Sequence, residues 1–357
     1  MTDATSLTTA LKALLEESIR RAGGWLPFDR FMAQALYAPG LGYYANDSRK
    51  FGAMPGSGSD FITAPEMSPL FGKALAVQIA DALEATGTDE VWEFGAGSGA
   101  LAKQLLEALG DKVRKYSIVE VSSSLRERQQ ALVGGKVEWV GELPEAIKGV
   151  VIGNEVLDAM PVKLLARVNR AWHERGVQGA FEFADRLTDL RPPVDIPGAH
   201  DYLTEIHPQA EAFIRTLADR LVQGAAFFVD YGFGEREYYH PQRNMGTLMC
   251  HRGHLADTDP LSDIGLKDIT SHVNFTGLAV AAGEAGLKTL GYTTQGRFLL
   301  NCGLAQLLAD APLADRVAGQ RLMLEHEMGE LFKVIGFHRG DFWDAVGFRE
   351  GDRTHTL

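Results

Sequence analysis

The sequence predicts an α/β fold of the Rossmann-like type, built on a mostly parallel sheet. Between residues 90 and 153, short apolar runs of strand length alternate with segments of helical periodicity. A glycine-rich turn, GAGSG at 95–99, separates the first of these strands from its helix. Because such alternation implies strands joined by right-handed crossovers, we expect most strands of the sheet to run parallel.

The N-terminal part of the chain precedes this alternation. Helical spacing of apolar residues predicts helices at 6–22, 28–37 and 69–86. The segment 38–69 is rich in Gly, Pro, Ser and Asp and lacks periodicity, and loops of that length in compact proteins are usually functional. Residues 1–88 are therefore interpreted as an N-terminal helical region with a lid over cofactor and substrate.

Residues 89–240 are assigned to the Rossmann-like core. Strands are predicted at 90–94, 115–121, 136–140 and 149–153, helices at 99–109 and 123–132, and a short helix at 143–147. Residues 162–205 carry three strand-like pieces and a proline-rich loop, which predict an inserted antiparallel element. After this insertion, the alternation of helices and strands resumes with a helix predicted at 208–222 and a strand predicted at 225–230.

The C-terminal extension, residues 241–357, is expected to complete the sheet and the substrate-binding region. Helices are predicted in it at 274–286, 303–309 and 313–330. The apolar stripe within residues 303–335 is interpreted as core or as the contact of a possible homodimer.

Composition and charge narrow the class of protein. The 357 residues are 45% hydrophobic and 23% charged, as in ordinary globular proteins. A net charge of −12 without a block of Lys or Arg argues against nucleic acid as the main partner. The two cysteines, the lack of a signal-peptide pattern and the lack of a long apolar run predict a cytoplasmic protein without a membrane span.

The glycine turn suits two nucleotide-like cofactors. Gly95, Gly97 and Ala100 satisfy the dinucleotide fingerprint G-x-G-x-x-G/A. With Gly99, the same turn satisfies the acid-x-G-x-G-x-G pattern typical of class I S-adenosyl-L-methionine (SAM) methyltransferases. Glu93 favours SAM, because a carboxylate there repels a pyrophosphate but attracts the cationic amino-acid end and the sulfonium of SAM. A dinucleotide site and a plain strand–helix turn are the alternatives.

Further cofactor-binding residues are predicted at the ends of the following strands. Glu120 ends the second strand and could hold ribose hydroxyls of either cofactor, with Val121 beside it. Glu142 and Leu143 follow the third strand, where this fold usually meets an adenine. Asn154 ends the fourth strand at the same edge of the sheet.

Two acids after the fourth strand are candidate catalytic residues. Glu155 and Asp158 lie one helical turn apart, next to where the glycine turn would hold the methyl group of SAM. Helix capping is the alternative role for this stretch. Glu66, in the N-terminal loop, is a third candidate. No metal site is predicted, because the H-x-x-H pair at 251 and 254 has no third ligand nearby.

The loop at 38–69 is expected to fold over the edge of the sheet. Thr63 would then contact the cofactor, and Tyr43, Tyr44 and Pro65 would contact the substrate. Aromatic packing within a lid would explain the two tyrosines equally well.

Several stretches of the sequence resemble the MidA family, from about residue 10 to about residue 340. They include LGYY at 41–44, DFITAPEMSPLFG at 60–72, VEVSSSLRERQ at 119–129, FVDYG at 228–232, GTLMCHRGH at 246–254 and DITSHVNF at 268–275. The resemblance implies a class I SAM-dependent methyltransferase that modifies an arginine of a partner protein. The family's mitochondrial member does so on a subunit of respiratory complex I. Two acids close together suit this reaction, because a carboxylate pairs with a guanidinium through two hydrogen bonds.

Two other functions stay open at this point. A non-catalytic assembly factor would keep the SAM fold and bind a partner protein, since a fold does not by itself fix an activity. An NAD(P)-dependent oxidoreductase would use the same glycine turn to bind a dinucleotide.

Overall fold

The computed structural model describes residues 4–46, 62–120 and 122–357. Its N-terminal elements are α1 Ala4–Arg21, β1 Trp25–Pro27, α2 Phe28–Tyr37, α3 Ala64–Met67 and α4 Pro69–Thr86. The alternating part follows, with β2 Glu90–Phe94, α5 Ala100–Leu109, β3 Lys115–Val119, α6 Ser123–Val133, β4 Glu138–Val140 and β5 Ile147–Asn154. Next come β6 Lys163–Val168, β7 Ala171–Gln178, β8 Glu182–Leu187, β9 Tyr202–Ile206, α7 Pro208–Arg220 and β10 Leu221–Phe233.

The remaining elements belong to the C-terminal part of the chain. They are α8 Glu235–Tyr238, β11 Met249–Arg252, β12 Leu255–Asp257, β13 Asp268–Thr270, β14 Val273–Asn274, α9 Phe275–Glu284 and β15 Lys288–Thr294, followed by α10 Gln295–Asn301, α11 Leu304–Asp310, α12 Leu313–Arg321, α13 Met328–Leu331 and β16 Phe332–Arg339.

In the described ranges the central sheet has eight strands, in the order β15-β16-β10-β5-β2-β3-β4, with β14 paired to β10. Strands β10, β5, β2, β3 and β4 pair in parallel. Strand β16 pairs antiparallel with both β10 and β15. The carboxyl ends of the five parallel strands therefore meet at one edge, where open sheets of this type bind their ligands.

Helices cover both faces of this sheet. On one face α4 and α5 pack through side chains such as Phe71, Ile79 and Leu105. On the other face α7 and α9 pack through Ile214 and Leu278. Because both faces are buried, the inner strands β5 and β10 are almost continuously apolar along the sequence.

The insertion forms a second sheet, which is antiparallel. This sheet contains β1 and β6 to β9. Their order is β1-β7-β6-β9, and β8 pairs with β7. Helices α1 and α2 pack on this sheet through side chains that include Leu15, Phe31 and Leu164. A small three-stranded sheet, β12-β11-β13, completes the architecture of the described residues.

The predicted fold class is confirmed, including the mostly parallel sheet, the inserted antiparallel element and the C-terminal extension. Helices predicted at 28–37 and 69–86 form with these bounds. Residues 143–147 form no helix, because Pro144 disfavours helical backbone at the residue before it and β5 already begins at Ile147. The division of the chain at residues 88 and 240 stays a prediction.

The helix predicted at 313–330 is interrupted. Helix α12 ends at Arg321, and α13 begins only at Met328. At the break, the carbonyl of Leu322 accepts a hydrogen bond from the side chain of buried Gln295 at 3.0 Å. Among the helices of the described residues, none is both long enough and apolar enough to cross a membrane.

Candidate functional site

A cavity of about 1960 Å³ lies at the carboxyl ends of β2, β3, β5 and β10. The glycine turn after β2 and Glu120, which follows β3, line it. Glu155 and Asp158, from the turn after β5, line the same cavity, as do Tyr44 and Asp268. The glycine turn and Glu120, predicted to bind a cofactor, therefore share one continuous space with Glu155 and Asp158, predicted to act on a substrate.

The glycine turn follows a backbone path that other residues rarely adopt. Gly95, Gly97 and Gly99 have φ angles of 62°, 53° and 85°, in the left-handed region that glycine tolerates. A Cβ on Gly95 would lie 2.8 Å from a methyl carbon of Val156, so the turns after β2 and β5 are in close contact. Gly95 and Gly97 line the cavity, and Gly99 is the N-cap of α5.

Gln129, on α6, holds the glycine turn and Glu120 together. Its fully buried amide donates hydrogen bonds to the carbonyl of Gly97 at 3.0 Å and to the carboxylate of Glu120 at 3.3 Å. Its amide oxygen accepts a hydrogen bond from the Trp139 indole at 2.9 Å. Glu120 also accepts the backbone N–H of Ser122 at 2.8 Å. The carboxylate after β3 is thus fixed beside the glycine turn.

Glu93 is the acid that precedes the glycine turn, and it is only 2% exposed. The hydroxyl of Tyr116 donates a hydrogen bond to its carboxylate at 2.5 Å. Burial raises the pKa of Glu93 to about 7, and the hydrogen bond from Tyr116 opposes this rise. Because Glu93 lines the cavity, a cation bound there would favour its charged form.

The acids after β5 lie on an unusual turn that Asp230 supports. Glu155 has a φ of 53°, which is uncommon for a residue with a side chain and is often found at functional sites. Its N–H donates to the carbonyl of Val229 at 2.9 Å. Asp230 Oδ2 accepts the next three backbone N–H groups at 3.2, 2.9 and 3.2 Å. The end of β10 therefore fixes the positions of Glu155 and Asp158.

Two carboxyl groups on this turn have raised pKa values. Burial, and then the charge of Asp158, raise the pKa of Glu155 to about 8. Hydrogen bonds from the Asn154 amide, at 2.9 Å, and from the Ala64 N–H oppose this rise. Burial raises the pKa of Asp158 to about 6, against a hydrogen bond from Tyr231. Both groups would be stabilised as carboxylates by a cation in the cavity.

Asn154 offers a further acceptor at the same place. It lines the cavity, and its side-chain oxygen is buried without a hydrogen-bond partner among the described residues. Buried polar atoms are nearly always paired in native proteins. This oxygen is therefore a candidate acceptor for a hydrogen-bond donor of a ligand.

The residues that begin α3 reach the cavity from the N-terminal region. Thr63 and Pro65 line it. Glu66 forms a capping box with Thr63, and its charge contributes to the raised pKa of Glu155. Gln104, on α5, donates a hydrogen bond to the carbonyl of Pro65 at 2.7 Å. The helix that follows the glycine turn thus also anchors this N-terminal segment.

Three tyrosines line the cavity beside the acids. The Tyr37 hydroxyl donates to a carbonyl of the turn after β5 at 2.9 Å, and its ring stacks on Tyr44 at 5.6 Å. The Tyr44 hydroxyl donates to Asp268 Oδ2 at 2.8 Å. Tyr231 hydrogen-bonds with Asp158. The acids and tyrosines form a wall that can bind a flat cationic group.

Some predicted site residues lie away from the cavity. Tyr43 is buried in the core formed by α1 and α2, and Leu143 packs on the core beneath α7 and α9. Glu142 is exposed, and Val121 lies outside the described residues. The part of the chain that the structure describes contains no group of three or more His, Cys, Asp or Glu placed to hold a metal ion.

The residues of the site that were not predicted from the sequence include Tyr37, Gln104, Gln129 and Asp268. Gln129 and Asp268 fall within stretches that resemble the MidA family, and that resemblance is the signal that could have marked them. Tyr37 and Gln104 lie on amphipathic helices, where nothing in the local pattern separates a cavity residue from a packing residue.

Known proteins similar to this chain include a crystal structure of a protein from Burkholderia thailandensis bound to S-adenosyl-homocysteine. That structure has 48% sequence identity and a TM-score of 0.95, and the match covers 100% of this chain and 99% of the other. "Protein arginine methyltransferase NDUFAF7, mitochondrial" from Danio rerio is 28% identical over 79% of this chain and 74% of its own length. The Caenorhabditis elegans homologue of that protein is 27% identical over 92% and 86%.

The names of these relatives contradict the predicted cytoplasmic location. The relatives from zebrafish and from the nematode are both named as mitochondrial proteins. The prediction rested on the low cysteine content and on the lack of a signal-peptide pattern. Cysteine content reflects the redox conditions that a protein meets and does not identify its compartment, so the inference to a cytoplasmic protein was wrong.

A family profile also matches the chain over residues 74–293, under the description "Putative S-adenosyl-L-methionine-dependent methyltransferase". The matched stretch contains the glycine turn, Glu120 and the acids after β5. The match, together with the structure bound to S-adenosyl-homocysteine, decides between the two cofactors that the glycine turn suits. The chain therefore belongs to this family of SAM-dependent methyltransferases, and SAM is its cofactor.

Proposed function

We propose that this protein methylates the guanidinium of an arginine in a partner protein. The observation that carries the proposal is the wall of carboxylates and tyrosines in the same cavity as the glycine turn, namely Glu155, Asp158, Asp268, Tyr44 and Tyr231. Carboxylates bind a guanidinium through paired, charge-assisted hydrogen bonds, and aromatic rings bind its flat face. An anionic acceptor would be repelled by the carboxylates of this set.

The side chains around the glycine turn fit SAM. Glu120, fixed by Gln129, suits the ribose hydroxyls. Glu93 and the orphaned oxygen of Asn154 suit the ammonium group. Thr63 approaches from the N-terminal region, so we assign it to the cofactor as well. Bound SAM supplies an activated methyl group. The residues of this chain must position the guanidinium and accept its proton.

We assign acceptance of the guanidinium proton to Glu155. An arginine guanidinium has a pKa of about 13.8, so removing its proton before the reaction would cost roughly 9 kcal/mol at pH 7. Glu155 avoids this step by pairing with the guanidinium and aiming one nitrogen at the methyl group. It would accept the proton while the carbon–nitrogen bond forms and the sulfur–carbon bond breaks, which leaves S-adenosyl-homocysteine. In the free protein its pKa is about 8, so Glu155 keeps that proton at neutral pH once the methylated product has left.

Asp158 is assigned to the same guanidinium. It lies on the same turn, its carboxyl is fixed by Tyr231 and backbone N–H groups, and its pKa of about 6 leaves it mainly ionised at pH 7. A charged partner beside Glu155 holds the guanidinium in the pocket while Glu155 takes the proton. We assign Glu66 to the capping of α3, since its side chain forms the capping box with Thr63.

For the partner protein we propose a respiratory complex I subunit, which the resemblance to the MidA family implies. The relatives in zebrafish and the nematode are named protein arginine methyltransferases, at 28% and 27% identity, and these names support an arginine-bearing substrate. The net charge of −12 favours a basic segment of that partner. Nucleic acid is not expected as a partner, and the homodimer stays a prediction.

Peptides that tile the core subunits of complex I, incubated with methyl-labelled SAM and read by mass spectrometry, test the proposal. The wild-type protein should label an arginine, and Glu155→Gln should lower the rate about 100-fold or more while S-adenosyl-homocysteine binding persists. Glu107→Gln, the same change at an exposed position of α5, should leave the rate unchanged. Binding of S-adenosyl-homocysteine without labelling of any peptide would favour the non-catalytic assembly factor.

A further inference from the structure

We infer that Asp268, held by Tyr44, binds the guanidinium and makes the pocket select arginine over lysine. The inference rests on the proposed function and extends it to a residue outside the turn after β5. Asp268 belongs to β13, in the small three-stranded sheet. It is 2% exposed and lines the cavity.

The carboxylate of Asp268 has a fixed orientation. The Tyr44 hydroxyl donates to its Oδ2 at 2.8 Å, and the backbone N–H of Ile269 donates to its Oδ1 at 2.9 Å. Two hydrogen bonds on different oxygens determine the plane of the group. A planar carboxylate held in this way is suited to pair with a planar guanidinium.

Asp268 and Asp158 lie on neighbouring parts of the cavity wall. The Tyr231 hydroxyl interacts with both Asp158 and Thr270, the last residue of β13. The N–H of Ser271 donates to the backbone carbonyl of Asp158 at 2.9 Å. Carboxylates from two separate elements, the turn after β5 and β13, thus line the cavity. Hydrogen bonds join these two elements.

Tyr37 and Tyr44 connect the two acids on the other side. Tyr37 hydrogen-bonds to the turn after β5 and stacks on Tyr44, which holds Asp268. The charges of Asp268 and Asp158 both contribute to raising the pKa of Tyr37, after burial, which places both acids close to that ring. Two tyrosine links, one through Tyr231 and one through this stack, therefore join the acids around the same space.

The shape of the cation decides what such a pocket prefers. A guanidinium spreads five N–H donors over a plane, whereas an ammonium presents three donors from a single nitrogen. Acids on two elements can each accept from separate N–H groups of the guanidinium, whereas an ammonium offers all its donors from one atom. Loss of Asp268 should therefore weaken guanidinium binding more than ammonium binding.

Binding of small cations to protein saturated with S-adenosyl-homocysteine tests this inference. Ethylguanidinium and ethylammonium chloride are titrated separately and followed by nuclear magnetic resonance. We expect ethylguanidinium to bind more tightly to the wild type, and Asp268→Asn to weaken it roughly tenfold or more and to remove the preference. Tyr44→Phe keeps the ring and should weaken binding severalfold. Asp263→Asn, at an exposed position near β13, should change nothing.

Folding is checked by the affinity for S-adenosyl-homocysteine, which each variant should retain. If Asp268→Asn is unfolded, Asp268→Glu and Tyr44→Phe carry the test, and both should lower the guanidinium preference. Unchanged preference in any folded variant at position 268 overturns the inference. If Asp268→Asn labels an arginine peptide with the KM of the wild type, the inference is also overturned, and the proposed function stays intact. A preference that depends on Asp268, without peptide labelling by the wild type, would support the inference and contradict the proposed function.

Discussion

Binding of a guanidinium beside Glu155 should release a proton that can be counted. In the free protein the pKa of Glu155 is about 8, so roughly nine-tenths of this side chain is protonated at pH 7. A guanidinium paired with the carboxylate lowers that pKa far below 7, so that the paired carboxyl is essentially fully ionised. About 0.9 proton should therefore leave Glu155, and Asp158, with a pKa of about 6, should add only about 0.1.

Calorimetry of ethylguanidinium binding, in buffers with different ionisation enthalpies, measures the number of protons released. The wild type saturated with S-adenosyl-homocysteine should release about one proton at pH 7 and only about 0.1 at pH 9, where Glu155 is already ionised. Glu155→Gln should release about 0.1 at pH 7, and Glu107→Gln should behave as the wild type does. Equal release by Glu155→Gln and the wild type would refute the assignment of the proton to Glu155.

Three further results are expected. The value of kcat/KM for an arginine peptide should rise about tenfold between pH 7 and pH 9, since the ionised form of Glu155 is the active one and its pKa is about 8; a flat profile in the wild type would contradict this. Gly95→Ala should abolish binding of S-adenosyl-homocysteine. Gly134→Ala, at a glycine that also has a positive φ but has nothing near its Cβ among the described residues, should lower the free energy of unfolding by about 1–3 kcal/mol without changing that affinity. Gln129→Leu should weaken that binding roughly tenfold, and Gln130→Leu, at the exposed neighbouring position, should not; equal affinities would show that the amide does not support the turn.

The predicted site residues that follow the parallel strands and line the cavity share one physical origin. Parallel strands end at a common edge, so an acid or a glycine turn after each of the neighbouring strands β2, β3 and β5 is expected to lie near the others. The sequence shows where β2, β3 and β5 end, and the cavity is lined by Gly95, Glu120 and Glu155 as that rule requires. The periodicity that identifies these strands is local, and no long-range information is needed.

Other residues could not be placed in this way, because their positions depend on contacts between distant parts of the chain. Tyr44 meets Asp268 across 224 residues of sequence, and no local pattern connects them. Tyr43 and Tyr44 are adjacent, yet one is buried in the core and the other lines the cavity. The choice between them is made by the packing of the N-terminal helices on the inserted sheet, which the sequence does not specify in an obvious way.

The turn after β5 shows a second limit. Its left-handed residue is Glu155, and sequence patterns would place such a conformation at a glycine. The conformation is imposed by Asp230, whose carboxylate accepts three consecutive backbone N–H groups of the turn. Because Asp230 comes from another strand, the strain at Glu155 could be found only in the folded structure.

Arginine methylation in cells is the measurement that tests the central claim most directly. Proteins from cells lacking this gene are compared by mass spectrometry with those from the same cells carrying the wild-type gene or Glu155→Gln, beginning with the subunits of complex I. We predict methylated arginines that depend on the wild-type gene and that Glu155→Gln does not restore. Identical arginine methylation in all three strains would contradict the account, and so would full restoration by Glu155→Gln.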